Sequence, residues 1–349
     1  MVLSAPSAQA AVAVGGLDTD ALRSALPEEA EEWLGELSPT ELPGRDFFSR
    51  IPEKLTERVE TAAKPVLKTA GIVLLVCVFV SLSRALEING DGPEYILFAG
   101  VAAIGAAAMG DVGSYMARGA DLLQSMCDYA RVVLPVLSGA AAASGSVSGA
   151  AAKYGAAALA MDILLSAARS VAVPCVGGYA ALSLADAAVG NDVLRAAKRL
   201  LRTMCTTLTT AIAMGFTAAL SLTHVVSAAS DTLSARLAKT AVSTALPVVG
   251  GILADAAGSL TAAAGLLRGS VGVFGILAVA GICLSGVIPL LLRYAVYKLA
   301  AALCSCVADK RMGELVGDLG VCFGLMLALN GAGALMLFVS FYSLMRTVL

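Results

Sequence analysis

The sequence predicts an all-α, polytopic integral membrane helix bundle with about six to eight membrane segments. Three observations carry that expectation. The 349-residue chain is 58% hydrophobic and only 14% charged, against about 25% charged in an average soluble domain. Its apolar residues gather in segments of the length a bilayer requires, about 20 residues per helix. Between Lys239 and Arg268 a single charge, Asp255, stands near the middle of 28 residues. In that stretch Thr240, Thr244, Pro247, Gly251, Asp255, Gly258, Ala262 and Gly265 recur at steps of three or four and share one helix face. Val242, Leu246, Val249, Leu253 and Leu260 take the other, so the small face should pack on helices and the large face should meet lipid. A chain this rich in Ala and Gly and this poor in aromatics (5%) suits close-packed helices better than a barrel.

Residues 1–12 read as the remnant of a signal-like segment: Val2 to Ala10 is small and mostly apolar, Ala8-Gln9-Ala10 resembles a cleavage end, and the first base is Arg23. Residues 13–63 form a polar, extracytoplasmic N-terminal region punctuated by Pro27, Pro39 and Pro43, with a short helix over Glu28 to Glu36. Residues 1–60 hold 12 acids and 5 bases, and the remainder 14 acids and 19 bases. The multipass domain, 64–349, contains six clear apolar segments, at 66–86, 95–116, 131–151, 203–229, 270–292 and 319–345. Two more are ambiguous. Residues 154–190 are interrupted by Asp162, Arg169, Pro174 and Gly177-Gly178, and 240–267 contains Pro247 and Gly250-Gly251, which permit a kink or re-entrant turn.

Two basic clusters, Arg195/Lys198/Arg199/Arg202 and Arg293/Lys298/Lys310/Arg311, should both face the cytoplasm. Three full crossings between them would separate them. A re-entrant or broken element at 240–267 removes the conflict and places the N-terminal region and the C-terminus outside; it also requires 154–190 to return to its starting face. Over 292–312, Leu292, Val296, Leu299, Leu303 and Val307 form an apolar stripe opposite Tyr294, Lys298, Ser305 and Asp309. This predicts a helix lying at the cytoplasmic interface, with Asp309, Lys310 and Arg311 as a candidate docking handle for a partner. Gly145-x-x-x-Gly149, Gly265-x-x-x-Gly269 and Gly313-x-x-x-Gly317 have the spacing of close helix contacts, a pattern common by chance in Gly-rich chains.

The inventory of chemistry is mostly negative. There is no phosphate-binding G-x-x-x-x-G-K-[ST] loop and no H-E-x-x-H, and His224 is the sole histidine, so no multi-histidine metal site can form. No basic patch on a polar surface predicts nucleic-acid binding. Eight scattered cysteines give no disulfide framework, and Cys304 and Cys306 point to different helix faces. No cofactor, metal or catalytic residue is expected, and the chain does not read as an enzyme. The candidate structural or translocation residues are the intramembrane acids Asp255, Asp111 and Asp162, with Pro247, Gly250 and Gly251; Asp186 is a further acid in apolar surroundings. Each such acid either pairs with a base on another helix (Lys153 and Arg169 are candidates), lines a polar path, or takes part in catalysis.

The segments LPVVGGILADA from Leu246, GLLRGSVGVFG ending at Gly275, and ADKRMGELVGDLG over Ala308 to Gly320 resemble the stage III sporulation protein AE family. The resemblance runs from about Val66 to the C-terminus. It implies a subunit of the channel apparatus between mother cell and forespore, in the mother-cell membrane around the forespore and needed for forespore development. The implied partners are the other stage III sporulation A-operon proteins, including a cytoplasmic ATPase and ring-forming subunits, and indirectly stage II sporulation protein Q. The competing expectation is a free-standing secondary transporter, which also uses broken helices and a mid-membrane acid.

Overall fold

The computed structural model describes residues 26, 28–35, 45–86, 92–143, 159–242, 250–307 and 309–348. Among them every regular element is helical: α1 (Glu28–Leu34), α2 (Arg45–Leu86), α3 (Gly92–Ala143), α4 (Leu159–Val189), α5 (Asp192–Val242), α6 (Gly250–Val307) and α7 (Lys310–Val348). Five helices are long and apolar enough to cross a membrane, within α2, α3, α4, α6 and α7. The sixth long helix, α5, carries the predicted segment 203–229. The protein is therefore a multipass helix bundle.

The turns explain why the chain reverses where it does. At the end of α4, Gly190 adopts φ +69° and donates its N–H to the Asp186 carbonyl at 2.8 Å, a left-handed stop that glycine accepts without strain. The next residue, Asn191, accepts the Val193 N–H on its side-chain oxygen at 3.1 Å and so caps α5. Asp309 does the same for α7, its Oδ1 accepting the Arg311 N–H at 2.9 Å. Its Oδ2 holds Arg84, at the end of α2, at 2.6 Å.

These contacts gather the α4–α5 turn, the α6–α7 turn and the end of α2 at one end of the bundle, which carries the basic clusters. The start of α3 joins them, since Gly100 packs on Val80 and Met312. From there α3 and α7 descend together, with Gly119 against Met326, then Gly333 against Leu123 and Met126. At the far end α1 packs Trp33 and Ala30 over Gly281, and Arg58 of α2 pairs with Glu32. Each long helix thus runs antiparallel to the next. The N-terminal helix α1 thus packs at the end of the bundle opposite the basic clusters.

Several expectations need correcting. No turn separates the expected segments 95–116 and 131–151 as far as Ala143: α3 is one 52-residue helix, and charges such as Arg118, Asp121, Asp128 and Arg131 interrupt its hydropathy; residues 144–151 lie outside the described residues. Residues 159–189 do not return to their starting face. They cross the bundle, from Asp162 at the far end to Asp186 at the basic end. This helix contains a π-helical turn, Ala168–Ala172, just before Pro174. Pro247 and residues 243–249 lie outside the described residues, but from Gly250 the chain is a single 58-residue helix to Val307. Residues 250–267 therefore continue into 270–292. The chain passes from α5, which ends at Val242, to α6, which begins at Gly250, so the element expected at 240–267 is broken, and one descent by α5 and one return by α6 bring the two basic clusters together.

The expected interfacial helix at 292–312 is instead the last part of α6 and the turn into α7. Of its large apolar stripe, Leu299 (63% exposed), Leu303 and Val307 face outward, while Leu292 and Val296 are half-buried. Its inner face carries Arg293, Tyr297, Ala300 and Cys304, all buried. In lipid the large apolar side chains belong outside, and small or polar groups face the protein. The seam with α7 shows why. Four glycines at helical spacing bring the backbones together: Gly313 against Ser305, Gly317 against Ala301, Gly320 against Tyr297, and Gly324 against the Tyr294 ring. Gly313-x-x-x-Gly317 is thus part of a real packing ridge. Gly145 and Gly149 lie outside the described residues.

Two outcomes follow from this arrangement. Single-cysteine probes at Asn191 and at Lys310 should label from the same side of the membrane, and a probe at the exposed Glu32 of α1 from the opposite side; labelling of Asn191 and Lys310 from opposite sides would refute the hairpin order. Gly313→Leu should lower the melting temperature of the detergent-purified protein, since a Cβ there meets the Ser305 backbone at 3.2 Å and overpacking costs about 1–3 kcal/mol. Gly71→Leu, where a Cβ meets nothing within 4 Å, should leave it unchanged.

Candidate functional site

The most enclosed charge among the described residues is Arg293, only 1% exposed, about 20 Å along α6 from its basic end. Two helices build its surroundings with the same device, a charge and a tyrosine one turn apart: Asp111 and Tyr115 on α3, Arg293 and Tyr297 on α6. The pairs interlock. Arg293 Nε donates to Asp111 Oδ1 at 3.2 Å, Tyr297 Oη donates to Asp111 Oδ2 at 3.2 Å, and the guanidinium lies over the Tyr115 ring. One of its terminal N–H groups donates to the Pro289 carbonyl at 3.2 Å. An unpaired charge at this depth would cost several kcal/mol. Here the carboxylate, two aromatic rings and a carbonyl replace water, so the pair holds α3 to α6 in one register.

A second centre lies at the basic end. Lys198 of α5 reaches Asp186 Oδ2 of α4 at 2.6 Å and Asp318 Oδ2 of α7 at 3.0 Å. The Tyr179 hydroxyl donates to Asp318 Oδ1 at 2.7 Å. One ammonium thus serves two buried carboxylates from two helices. Burial works against the charge on Lys198, but hydrogen bonding and attraction from Asp186 and Asp318 outweigh it, and its pKa stands above the ordinary lysine value. Asp186 Oδ1 is buried with no hydrogen-bond partner among the described residues.

This centre forms the floor of an open basin of about 630 Å³. Arg195, Arg199 and Arg202 reach it from the first turns of α5, Lys298 from α6, and Lys310 and Arg311 from α7. The two basic clusters of the sequence therefore become one surface, with the exception of Arg293, which is buried away from it. A third network sits toward the far end, between α3 and α4. Arg131 bridges Asp128 and Asp162, while Arg169, from the π-helical turn, donates to Gln124. Gln124, Arg131, Asp162 and Arg169 line a cavity of about 460 Å³.

The predicted site residues fall out as follows. Asp111 and Asp162 are both paired, but neither with the expected base: Asp111 takes Arg293, Asp162 takes Arg131, and Arg169 lies beside Asp162 yet serves Gln124. Lys153 lies outside the described residues. Gly250, Gly251 and Asp255 fall in the first two turns of α6, and the Asp255 side chain, like Pro247, lies outside the described residues. The docking handle separates into roles. Asp309 caps α7 and binds Arg84. Burial alone would raise its pKa, but the Arg311 N–H and the Arg84 guanidinium hold it below the ordinary carboxylate range. The Arg311 guanidinium packs on Gly190, and Lys310 is exposed.

Sequence reasoning missed Asp318, Lys198 as a buried partner, and the Arg293–Asp111 pair. The signal for the last was present: Asp111-x-x-x-Tyr115 and Arg293-x-x-x-Tyr297 each set a charge and a hydroxyl on one face of an apolar helix. Removing either partner of this pair should be severe. Asp111→Leu or Arg293→Met alone is expected to cost about 3–5 kcal/mol by stranding the other charge, and the double variant should recover much of the loss. Thermal unfolding of the purified variants measures this; a double variant as unstable as the sum of the singles would contradict the pairing.

Comparison with curated proteins and with solved structures returned no match. The family model for stage III sporulation protein AE matches residues 35–347, a span that contains all three ion networks and the α6–α7 hairpin. A match over nearly the whole chain settles the relationship that the three sequence segments indicated: the chain belongs to the stage III sporulation protein AE family.

Proposed function

We propose that the protein is a membrane-embedded, non-catalytic subunit of the channel apparatus that links mother cell and forespore, resident in the mother-cell membrane around the forespore. The observation that carries this reading is the family match across residues 35–347. The architecture supports it. Long antiparallel helices locked by interior ion pairs and a glycine seam make a rigid membrane body, and outward residues such as Leu75, Phe79, Phe98 and Ile163 are exposed, as lipid contact requires. By the positive-inside rule, the basin faces the mother-cell cytoplasm, where an ATPase can reach it. The opposite end, with α1, then faces the space between the membranes, toward ring-forming subunits and stage II sporulation protein Q.

Gentle detergent extraction of a tagged copy from sporulating cells, with mass spectrometry of what accompanies it, tests the proposal. The operon ATPase and ring-forming proteins should be recovered with it. Recovery of the protein alone, from a preparation that keeps other membrane complexes intact, would favour a free-standing transporter, for which the paired carboxylates at Lys198 would be the first site to probe.

A further inference from the structure

The basin at the basic end holds more positive charge than the protein itself neutralises. Its walls carry seven cations (Arg195, Lys198, Arg199, Arg202, Lys298, Lys310 and Arg311) against three acids, Asp309, Glu314 and Asp318. Counting also Asp186 and Asp192, which contact Lys198 and Arg195, the excess is still two positive charges (seven minus five). The internal pairs account for part of the set: Lys198 is held by Asp186 and Asp318, Arg195 leans on Asp192 at 3.4 Å, and Lys310 reaches Glu314 only at 3.9 Å. Among the described residues, no carboxylate lies within ion-pair distance of Arg199, Arg202, Lys298 or Arg311.

These four come from three different helices, and the fold holds two of them in place. Lys298 Nζ lies 3.5 Å from the Gly317 carbonyl, and the Arg311 guanidinium rests on Gly190. Arginines converging without a carboxylate are the usual means of recognising phosphate, because the guanidinium presents parallel donors to its oxygens. The level of the basin selects the form of phosphate. It opens at the end of the bundle, where membrane-crossing helices reach their turns. On the outward faces of the same helices, Val193, Leu200 and Met204 of α5 and Leu299 and Leu303 of α6 are exposed. Charges gathered at the headgroup level beside lipid-facing apolar side chains match a molecule with a phosphodiester head and acyl tails.

We propose that this basin is a binding site for the phosphate headgroup of an anionic phospholipid, with Arg199, Arg202, Lys298 and Arg311 as the groups that hold it. The site joins α5 to α6 and α7, so an occupied basin ties together three helices whose cations otherwise repel. The proposal does not depend on which proteins accompany this one, and its test uses the purified full chain alone.

Delipidated protein in neutral detergent should gain thermal stability on adding cardiolipin or phosphatidylglycerol, and none on adding phosphatidylcholine. Native mass spectrometry should show the anionic lipid retained. Arg199→Gln with Arg202→Gln, both at exposed positions whose loss leaves the fold intact, should weaken the lipid effect about tenfold or more. Lys64→Gln with Lys68→Gln, on α2 toward the far end, should not. Inorganic pyrophosphate forms the second arm: stabilisation by pyrophosphate without any response to anionic lipid would assign the basin to a soluble phosphate compound and overturn the lipid assignment. Equal weakening by both double variants would show diffuse surface attraction and overturn the site itself, as would binding only of an acidic peptide.

Discussion

A charge inside a bilayer must find its partner on another helix, and the position of α6 depends on that constraint. Arg293 has no water to turn to, so α3 must present Asp111 and Tyr115 at its level. Once that register is set, Pro289 and Gly286 of α6 meet α3 at fixed heights, with Leu122 against Gly286. The other side of α6 is held by the glycine ridge of α7, and its upper part meets α2 where Cys77 Sγ and Cys304 Sγ lie 2.9 Å apart. α6 is the column against which α1, α2, α3 and α7 all pack.

The same constraint sorts the remaining polar groups by depth. At the basic end carboxylates from α4 and α7 converge on Lys198, and Asp309 both starts α7 and binds the end of α2. Toward the far end Arg131, Asp162, Arg169 and Gln124 join α3 to α4. Each network ties different helices together, so the bundle is cross-linked by ions at three heights while lipid-like packing fills the space between. Such a body is held rigid at three levels, which fits the proposed subunit of a membrane assembly and a lipid seated in the basic basin as a further strut.

Much of this was legible in the sequence. Composition and segment length gave the all-α membrane class, charge gave the common side of the two basic clusters, and residue strings gave the family. The misses have physical causes. The stripe through Leu299 and Leu303 does face outward, but the helix that carries it continues α6 instead of lying in the interface, because its other face holds Arg293, Tyr297 and Cys304 buried against neighbouring helices. Charges at Arg118, Asp121, Asp128 and Arg131 were read as a break between two spans, whereas α3 carries them in one helix. Arg293 was grouped with its sequence neighbours by sign alone. Its true partner is distant in sequence, and only the shared spacing of charge and tyrosine on α3 and α6 pointed to it.

The most direct test of α6 as the central column uses two cysteines the protein already has. Mild oxidation of the wild-type protein in native membranes, followed by proteolysis and mass spectrometry, should join Cys77 of α2 to Cys304 of α6. Cys283, on the same helix about 30 Å lower, should not join Cys77. A Cys77–Cys283 link would mean that α2 and α6 pack in a different register and would contradict the account, as would a Cys77 that stays unlinked while other buried cysteines react.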